Sequence, residues 1–330
     1  MTEPLVSVKM ITYNHAPFIT QAIEGVLQQK TDFPFELVIG EDCSTDGTRE
    51  IVFEYQKKYP DIIRVITSDK NVGMKKNGLR TVKACTGTYI AFCEGDDYWH
   101  HPGKLQKQVD YLERHPECGL VFTDYDFYYD SSRQLVRSVN CSKGLQSPES
   151  VTIEQIIRGK GPIIRTCTVM MRRELLEQVV EGDPYLHQNE KFLMGDTQLF
   201  AELALISDVS YYPESLATYR IHGESATRSK DPKKEARFWS SACEMRLYLC
   251  DKHNLSEHIR RKAEWDWCNS SLRLAFHSGN AELADEVRRR KKTFTGKEWL
   301  QYYGAKNPVL GYPLRLAASF SNAVGKYIVR

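Results

Sequence analysis

The 330-residue chain lacks a long hydrophobic run. Nothing in it approaches the roughly 20 consecutive apolar residues that cross a bilayer, so no membrane-spanning helix is expected. The opening Met1-Thr2-Glu3-Pro4 has no basic stretch leading into an apolar segment, so no signal peptide is expected. No pair among the nine cysteines has CxxC spacing, and their number is odd. Several sit in apolar runs, as Cys93 does in Ile90-Ala91-Phe92-Cys93. They read as buried free thiols of a reducing cytoplasm, which excludes a disulfide framework and a structural zinc site. Internal repeats and low-complexity segments are absent. Neither sign of charge dominates: 45 Lys and Arg against 43 Asp and Glu leave +2. What is present is ordinary globular composition, 41% hydrophobic, 27% charged and 11% aromatic, which excludes a disordered or collagenous chain. The charge is uneven, because from Arg288 onward ten Lys or Arg side chains face one acidic residue, Glu298.

The first hundred residues alternate strand and helix patterns. Strands are predicted over 6–12, 35–40, 62–66 and 89–93, with helices over 16–29, 45–59 and 77–85 between them. That order predicts an α/β fold with a parallel sheet, helices on both faces and right-handed crossovers. A helix follows over 102–115, with Pro102 in its first turn, then a strand over 118–123. Residues 125–150 read as a loop or irregular hairpin, 163–172 as a strand and 196–206 as a helix. Short strands follow at 209–212 and 215–219. After Asp231-Pro232 the chain is helical and charged to about residue 295, with Trp239, Trp265 and Trp267 as packing anchors.

Ligands of open α/β sheets bind outside the carboxyl ends of the strands. Acidic residues cluster at two such ends: Glu41-Asp42-Cys43-Ser44-Thr45-Asp46-Gly47-Thr48 after the second strand, and Glu94-Gly95-Asp96-Asp97-Tyr98-Trp99 after the fourth. Carboxylates crowded beside buried strands are unfavourable until a positive group arrives. A divalent cation holding a diphosphate meets that need, and hard oxygen ligands suit Mg²⁺ or Mn²⁺. Ser44 or Asp46 capping a helix, and Asp96-Asp97 as a solvated turn, are the structural alternatives.

These clusters belong to an ordered set of motifs. It runs Val6-Ser7-Val8 with Thr12-Tyr13-Asn14, then the Glu41–Thr48 stretch, Asn71-Val72-Gly73, Gly87-Thr88-Tyr89-Ile90-Ala91-Phe92 and Glu94–Trp99. Gly195-Asp196 and Tyr219-Arg220-Ile221-His222 complete it. In this order, over residues 6–227, the chain resembles a family 2 glycosyltransferase with the GT-A fold, of the kind that builds bacterial polysaccharides and lipopolysaccharides. The resemblance implies a Rossmann-like, mostly parallel sheet with flanking helices. It implies a catalytic domain over 1–229, with a nucleotide-binding half over 1–100 and an acceptor half over 101–229. A helical C-terminal region with a basic tail, 230–330, follows.

The resemblance also implies roles. Thr12, Tyr13, Asn14, Glu41 and Asp42 would hold nucleobase and ribose, with Asp42 reading the base and Tyr13 either stacking on it or capping the sheet edge. Glu41 stands where relatives usually carry Asp. Asp96 would face the ribose and Asp97 would bind Mn²⁺ or Mg²⁺, a DxD-type site. His222 would be a third metal ligand or a diphosphate donor. Asn71, Lys76, Arg80 and Arg220 would contact the donor, a UDP-sugar being favoured, although Lys75 is as well placed by spacing as Lys76. Asp196 would be either a helix cap or the base that deprotonates a hydroxyl of a glycan or lipid-linked acceptor, with inversion in a single displacement. Arg165, Thr166, Cys167 and Thr168 would shape the acceptor wall.

Two other functions fit the same elements. A sugar-nucleotide nucleotidyltransferase would place a glycine-rich basic loop after the first strand, where this chain has Tyr13-Asn14-His15-Ala16-Pro17. A non-catalytic nucleotide- or carbohydrate-binding protein would not need Asp97 and Asp196. From Pro313 onward, Leu316, Phe320, Val324 and Tyr327 form one face of a helical pattern, with Arg315, Asn322 and Lys326 mostly off it. That pattern suits either packing on the catalytic domain or peripheral contact with the inner face of the membrane from the cytoplasm. The basic tail contains no nucleic-acid-binding module, so no nucleic acid partner is expected.

Overall fold

The computed structural model describes residues 3–147, 149–223, 231–307 and 309–314. It divides into two compact units, one of residues up to Glu190 with Gly195–His222, the other of Lys191–Met194 with the described residues from Gly223 onward.

The first unit is built on a ten-stranded mixed sheet. β1 (Val6–Thr12), β2 (Phe35–Glu41), β3 (Ile63–Ile66) and β4 (Tyr89–Phe92) pair in parallel in the order β3-β2-β1-β4. β9 (Val169–Arg172) runs antiparallel between β4 and β6 (Cys118–Tyr129). β10 (Asp208–Ile221) lies parallel to β6, and β5 (Tyr98–Trp99) closes the edge on β10. β7 (Gln134–Val136) pairs with β6 and β8 (Glu149–Ser150) with β10.

The central strands β1 and β4 are buried along nearly their whole length because both faces of the sheet are covered. In β1, Val6, Val8 and Met10 point into one core with Ile19 and Ile23 of α1 (Ile19–Leu27) and Leu105 and Val109 of α4 (Lys104–Arg114). In β4, Ile90 and Phe92 point into the other, with Phe122 and with Leu199, Phe200 and Leu203 of α8 (Thr197–Ile206). Each such side chain contributes roughly 1.5–3 kcal/mol relative to exposure. α2 (Thr48–Lys58) and α3 (Met74–Ala84) complete the parallel half.

Beyond β4 the expected elements needed correction. The expected strand over 163–172 begins only at Val169, because residues 166–168 form a 3₁₀ turn. Residues 125–129 continue β6, and the two short strands of 209–219 are one strand bent by bulges after Tyr212 and Ser215. Helices α5 (Ile153–Arg158), α6 (Arg173–Gly182) and α7 (Pro184–Gln188) were not anticipated, although Thr152 with Gln155 forms a capping box at the first.

The second unit is helical: α9 (Pro232–Lys252), α10 (Glu257–Ser278), α11 (Ala281–Arg290) and α12 (Gly296–Lys306). Asp231 caps α9 with Pro232 in its first turn, and Gly279, with φ 67°, ends α10. Trp267 is buried as expected, but Trp265 is half exposed, with Lys291 Nζ 3.6 Å from its ring centre. The pattern from Pro313 onward falls almost wholly outside the described residues.

Candidate active site

Because β1, β2 and β4 are parallel, their carboxyl ends open on one edge, and Thr12 sits opposite Glu41 in register. Asp42 follows with its N–H on the Thr12 carbonyl at 3.1 Å. The buried Asp42 carboxylate accepts the N–H groups of Val72 and Gly73, each at 2.9 Å, and Arg80 Nη2 stands 3.6 Å from Oδ1. Asn71 Oδ1 also accepts from Gly73 N at 2.9 Å, so the Asn71-Val72-Gly73 turn is clamped onto Asp42. Arg80 donates to the Glu41 carbonyl at 2.8 Å and to Asn77 Oδ1 at 2.9 Å.

Glu41 is occupied by neighbouring loops and helix α2: Oε1 accepts from Ser44 N at 2.6 Å, Oε2 from Thr67 Oγ1 at 2.9 Å, and Arg49 Nε stands 3.6 Å from Oε2. Asn14 adopts the left-handed conformation its residue type tolerates, φ 54°, and its side chain holds Thr45 N at 2.9 Å. Tyr13, beside it, is 43% exposed. Thr12 Oγ1 is buried with no hydrogen-bond partner, and a Cβ on Gly95 would stand 2.7 Å from it, so glycine is what lets the β4 end approach this oxygen.

The second acid group is the turn Glu94–Asp97. Asp97 is buried, and its Oδ1 accepts the backbone N–H of Arg220 at 2.8 Å. Burial, then the charges of Asp96 and Glu94, push its carboxyl well above the usual aspartate range. Burial acts on Asp96 in the same direction but is outweighed by the hydrogen bond from His222 at 3.0 Å and the His15 and His222 charges, which hold it low. Glu94, 4.0 Å from Lys9 Nζ, is pushed up to about 7, chiefly by burial, and its Oε2 is enclosed without a hydrogen-bond partner. Among the described residues no three His, Cys, Asp or Glu side chains are arranged to hold a metal ion, so Asp96, Asp97 and His222 do not form the expected three-residue set. His222 is turned to Asp96 instead.

Asp196 caps α8: Oδ1 accepts from Thr197 N at 2.7 Å, while Oδ2 accepts from Thr166 Oγ1 at 2.9 Å. Its charge reaches both Glu94 and Lys9, which brings it to the acid turn. The 3₁₀ turn beneath is a joint that the sequence left without individual roles. Thr166 holds Asp196, the Cys167 carbonyl accepts from Trp99 Nε1 at 2.8 Å, and the buried Cys167 thiol adjoins Asp97.

Arg220 is placed differently from the expected phosphate partner. Its guanidinium packs on Phe18, Tyr98 and Tyr128, donates to the Asp96 carbonyl at 2.9 Å and bonds to Asp130 and Gln21. Lys76 is exposed and paired with Glu190 at 2.8 Å, and Lys75 Nζ donates to the Asn189 carbonyl at 2.6 Å. The structure thus gathers Asp96, Asp97, Arg220 and His222 around one turn with Asp196 in electrostatic reach. It gathers Thr12, Glu41, Asp42, Asn71 and Arg80 around the β2 end and leaves Lys76 aside. His15, which acts on Asp96 and lies edge-on to His222, was missed; its position just past the end of β1 was the available signal.

Comparisons with known proteins bear on the family and the fold. The sequence model of Glycosyl transferase family 2 matches residues 7–180, more than half the chain. The chain belongs to that family. An uncharacterised protein of Mycobacterium tuberculosis is 31% identical over 245 residues, 71% of this chain and 64% of that protein. The chain thus spans just under two thirds of that relative's length. S. aureus TarS in complex with UDP-GlcNAc shares the fold at TM-score 0.55 and 15% identity, covering 91% of this chain and 90% of that one. The mannosyltransferase PcManGT of Pyrobaculum calidifontis, in complex with GDP-Man and Mn²⁺, does so at TM-score 0.54 and 15% identity, covering 96% and 88%. No described helix is long and apolar enough to cross a membrane.

Proposed function

We propose that this protein is an inverting glycosyltransferase that moves a sugar from a nucleotide diphosphate donor to a hydroxyl of a glycan or lipid-linked acceptor. The observation that carries the reading is the Asp196 carboxylate, oriented by Thr166 and within electrostatic reach of the Glu94–Asp97 turn. Tyr13 offers its exposed ring to the nucleobase, Thr12 Oγ1 and Asp42 meet the base edge, and Asp96, kept ionised by His222, meets the ribose. Arg80 and Arg220 serve the donor indirectly, Arg80 by fixing Glu41–Asp42 and Arg220 by bracing the Asp96 carbonyl. Lys76 reaches it only by leaving Glu190.

The residues present fit a divalent ion. Three carboxyl groups fall within four residues, and burial with its neighbours drives Asp97 toward the neutral form, a situation a cation relieves. Asp97 supplies a hard oxygen, and donor phosphates complete the shell of Mn²⁺ or Mg²⁺. When bound, the ion supplies Lewis-acid stabilisation of charge on the departing diphosphate. The chain's own step is a proton transfer. As the acceptor oxygen bonds to the anomeric carbon from the face opposite the diphosphate, Asp196 takes its proton and the bond to the diphosphate oxygen breaks. One base suffices, because no covalent intermediate forms.

UDP-sugars are the first donors to test, as TarS binds UDP-GlcNAc. A thermal-shift panel of nucleoside diphosphates and their sugars, with and without Mn²⁺, compares wild type with Asp97→Asn. One nucleotide series should stabilise the protein only with Mn²⁺, and the shift should vanish in the variant. No shift with any nucleotide would refute the reading.

Peripheral contact with the cytoplasmic membrane face is part of the same proposal. Leading into the tail, Leu300, Tyr303, Val309 and Leu310 are exposed on a stretch that also carries the exposed Lys297, while Lys306 is paired with Asp285 at 2.7 Å, and exposed apolar side chains leading into a basic tail suit anionic lipid. Co-sedimentation with anionic vesicles that survives removal of residues after Asn307 would count against the tail's part in it.

A further inference from the structure

We propose that Arg165 reads an anionic group, a carboxylate or phosphate oxygen, carried by the acceptor beside the hydroxyl that Asp196 activates. This rests on Asp196 being the base. The Arg165 guanidinium lies 4.7 Å from the Tyr219 ring centre, 5.4 Å from Phe127 and 5.5 Å from Tyr125. The three rings brace one another edge-to-face, Tyr125 on Phe127 at 5.1 Å and Phe127 on Tyr219 at 5.9 Å. Arg165 Nε is enclosed without a well-aligned acceptor, and the neutral hydroxyl of the fully buried Tyr125 is the polar group its guanidinium meets there.

Other enclosed arginines of this unit spend their donors. Arg172 bonds the Cys118 and Leu112 carbonyls at 3.0 and 2.8 Å, and Arg220 bonds Asp130 and Gln21. Among the described residues no carboxylate pairs with Arg165. A partly buried guanidinium held over aromatic faces binds an oxyanion through a fixed two-pronged fork, which lysine cannot reproduce.

Its position assigns it to the acceptor. Thr166, the next residue, bonds Asp196. Tyr219 and Arg220 are neighbours on β10, so their side chains leave opposite faces; Arg220 takes the Asp96 carbonyl, and the Arg165 cage lies on the other side.

The test measures binding to the full chain by calorimetry with two matched probe pairs. One is a glucuronate-terminated oligosaccharide and its carboxyl-reduced form, the other a phosphorylated oligosaccharide and its dephosphorylated form. Wild type should bind the anionic member of one pair at least about tenfold more tightly, and that pair identifies the anion. Arg165→Gln should abolish the preference while UDP affinity, measured on the same samples with Mn²⁺, stays unchanged. If Arg165→Gln melts early, Arg165→Lys decides: loss of most of the preference supports the assignment and full retention overturns it. No preference in either pair, no binding of any probe, or a preference that survives in Arg165→Gln also overturns it. Wild type failing to bind UDP or any other nucleotide would instead refute the glycosyl-transfer reading, and this assignment with it.

Discussion

Lys104 offers a quantitative test of how the floor beneath the acid turn is built. It opens α4, is fully buried, donates to Gln108 Oε1 at 2.6 Å and lies 4.2 Å from the Trp99 ring centre. Among the described residues no carboxylate pairs with it. Burial pushes its ammonium down to about 7, against smaller opposing effects of Cys93 and Cys167. The unfolded chain keeps the proton to about 10.5, so between these values it binds more protons than the fold does. Stability from this group is therefore complete above the unfolded value and lost as pH falls toward 7. The slope approaches about 1.4 kcal/mol per pH unit, and from pH 7 to pH 9 the change is about 2 kcal/mol. Buried thiols such as Cys85, Cys93 and Cys167, raised by burial, act in the opposite direction in alkali. The informative quantity is thus the difference between Lys104→Met and wild type, from urea unfolding followed by tryptophan fluorescence under reducing conditions. Lys104→Met should be the more stable at pH 7, with its margin smaller by about 2 kcal/mol at pH 9. A margin independent of pH would refute the reasoning.

Three further predictions concern the site. Gly95→Ala puts a Cβ 2.7 Å from Thr12 Oγ1 and 2.8 Å from Thr12 Cβ, so thermal melting should show a loss of about 1–3 kcal/mol together with weakened UDP binding. Thr166→Val frees Asp196 Oδ2, and steady-state kinetics should show kcat down about tenfold with the donor KM unchanged. Glu41→Gln disturbs a carboxylate whose partners are internal, so denaturant titration should show a loss of about 1–3 kcal/mol while calorimetry finds UDP affinity within about threefold of wild type.

The parallel half was legible because β1, β2 and β4 are largely buried on both faces and read as short, mostly apolar segments separated by helical patterns. Local pattern failed where tertiary pairing decided the outcome. β10 is one strand because it follows β6 through three register shifts, and no residue period records a bulge. Residues 163–168 have strand composition, but Thr168 N and Oγ1 both bond back to the Arg165 carbonyl at 2.9 and 2.7 Å and wind the chain into a turn. The acid clusters were visible as carboxylates at strand ends. Their partners were not: Asp97 is held by a backbone N–H 123 positions away, which any residue at position 220 except proline could supply. Glu41 and Asp42 look alike in the sequence, yet the loops that meet them differ, so one carboxylate braces Ser44 and Thr67 while the other clamps Val72 and Gly73.

The central claim is that Asp196 is the base while Asp97 belongs to the donor site. The most direct measurement is UDP affinity and sugar transfer, determined together on wild type and Asp196→Asn with Mn²⁺ present. The account predicts UDP affinity within about twofold of wild type and transfer reduced by roughly 10²–10⁴. Transfer within about tenfold of wild type, with UDP binding intact, would contradict it and leave Asp196 as the cap of α8.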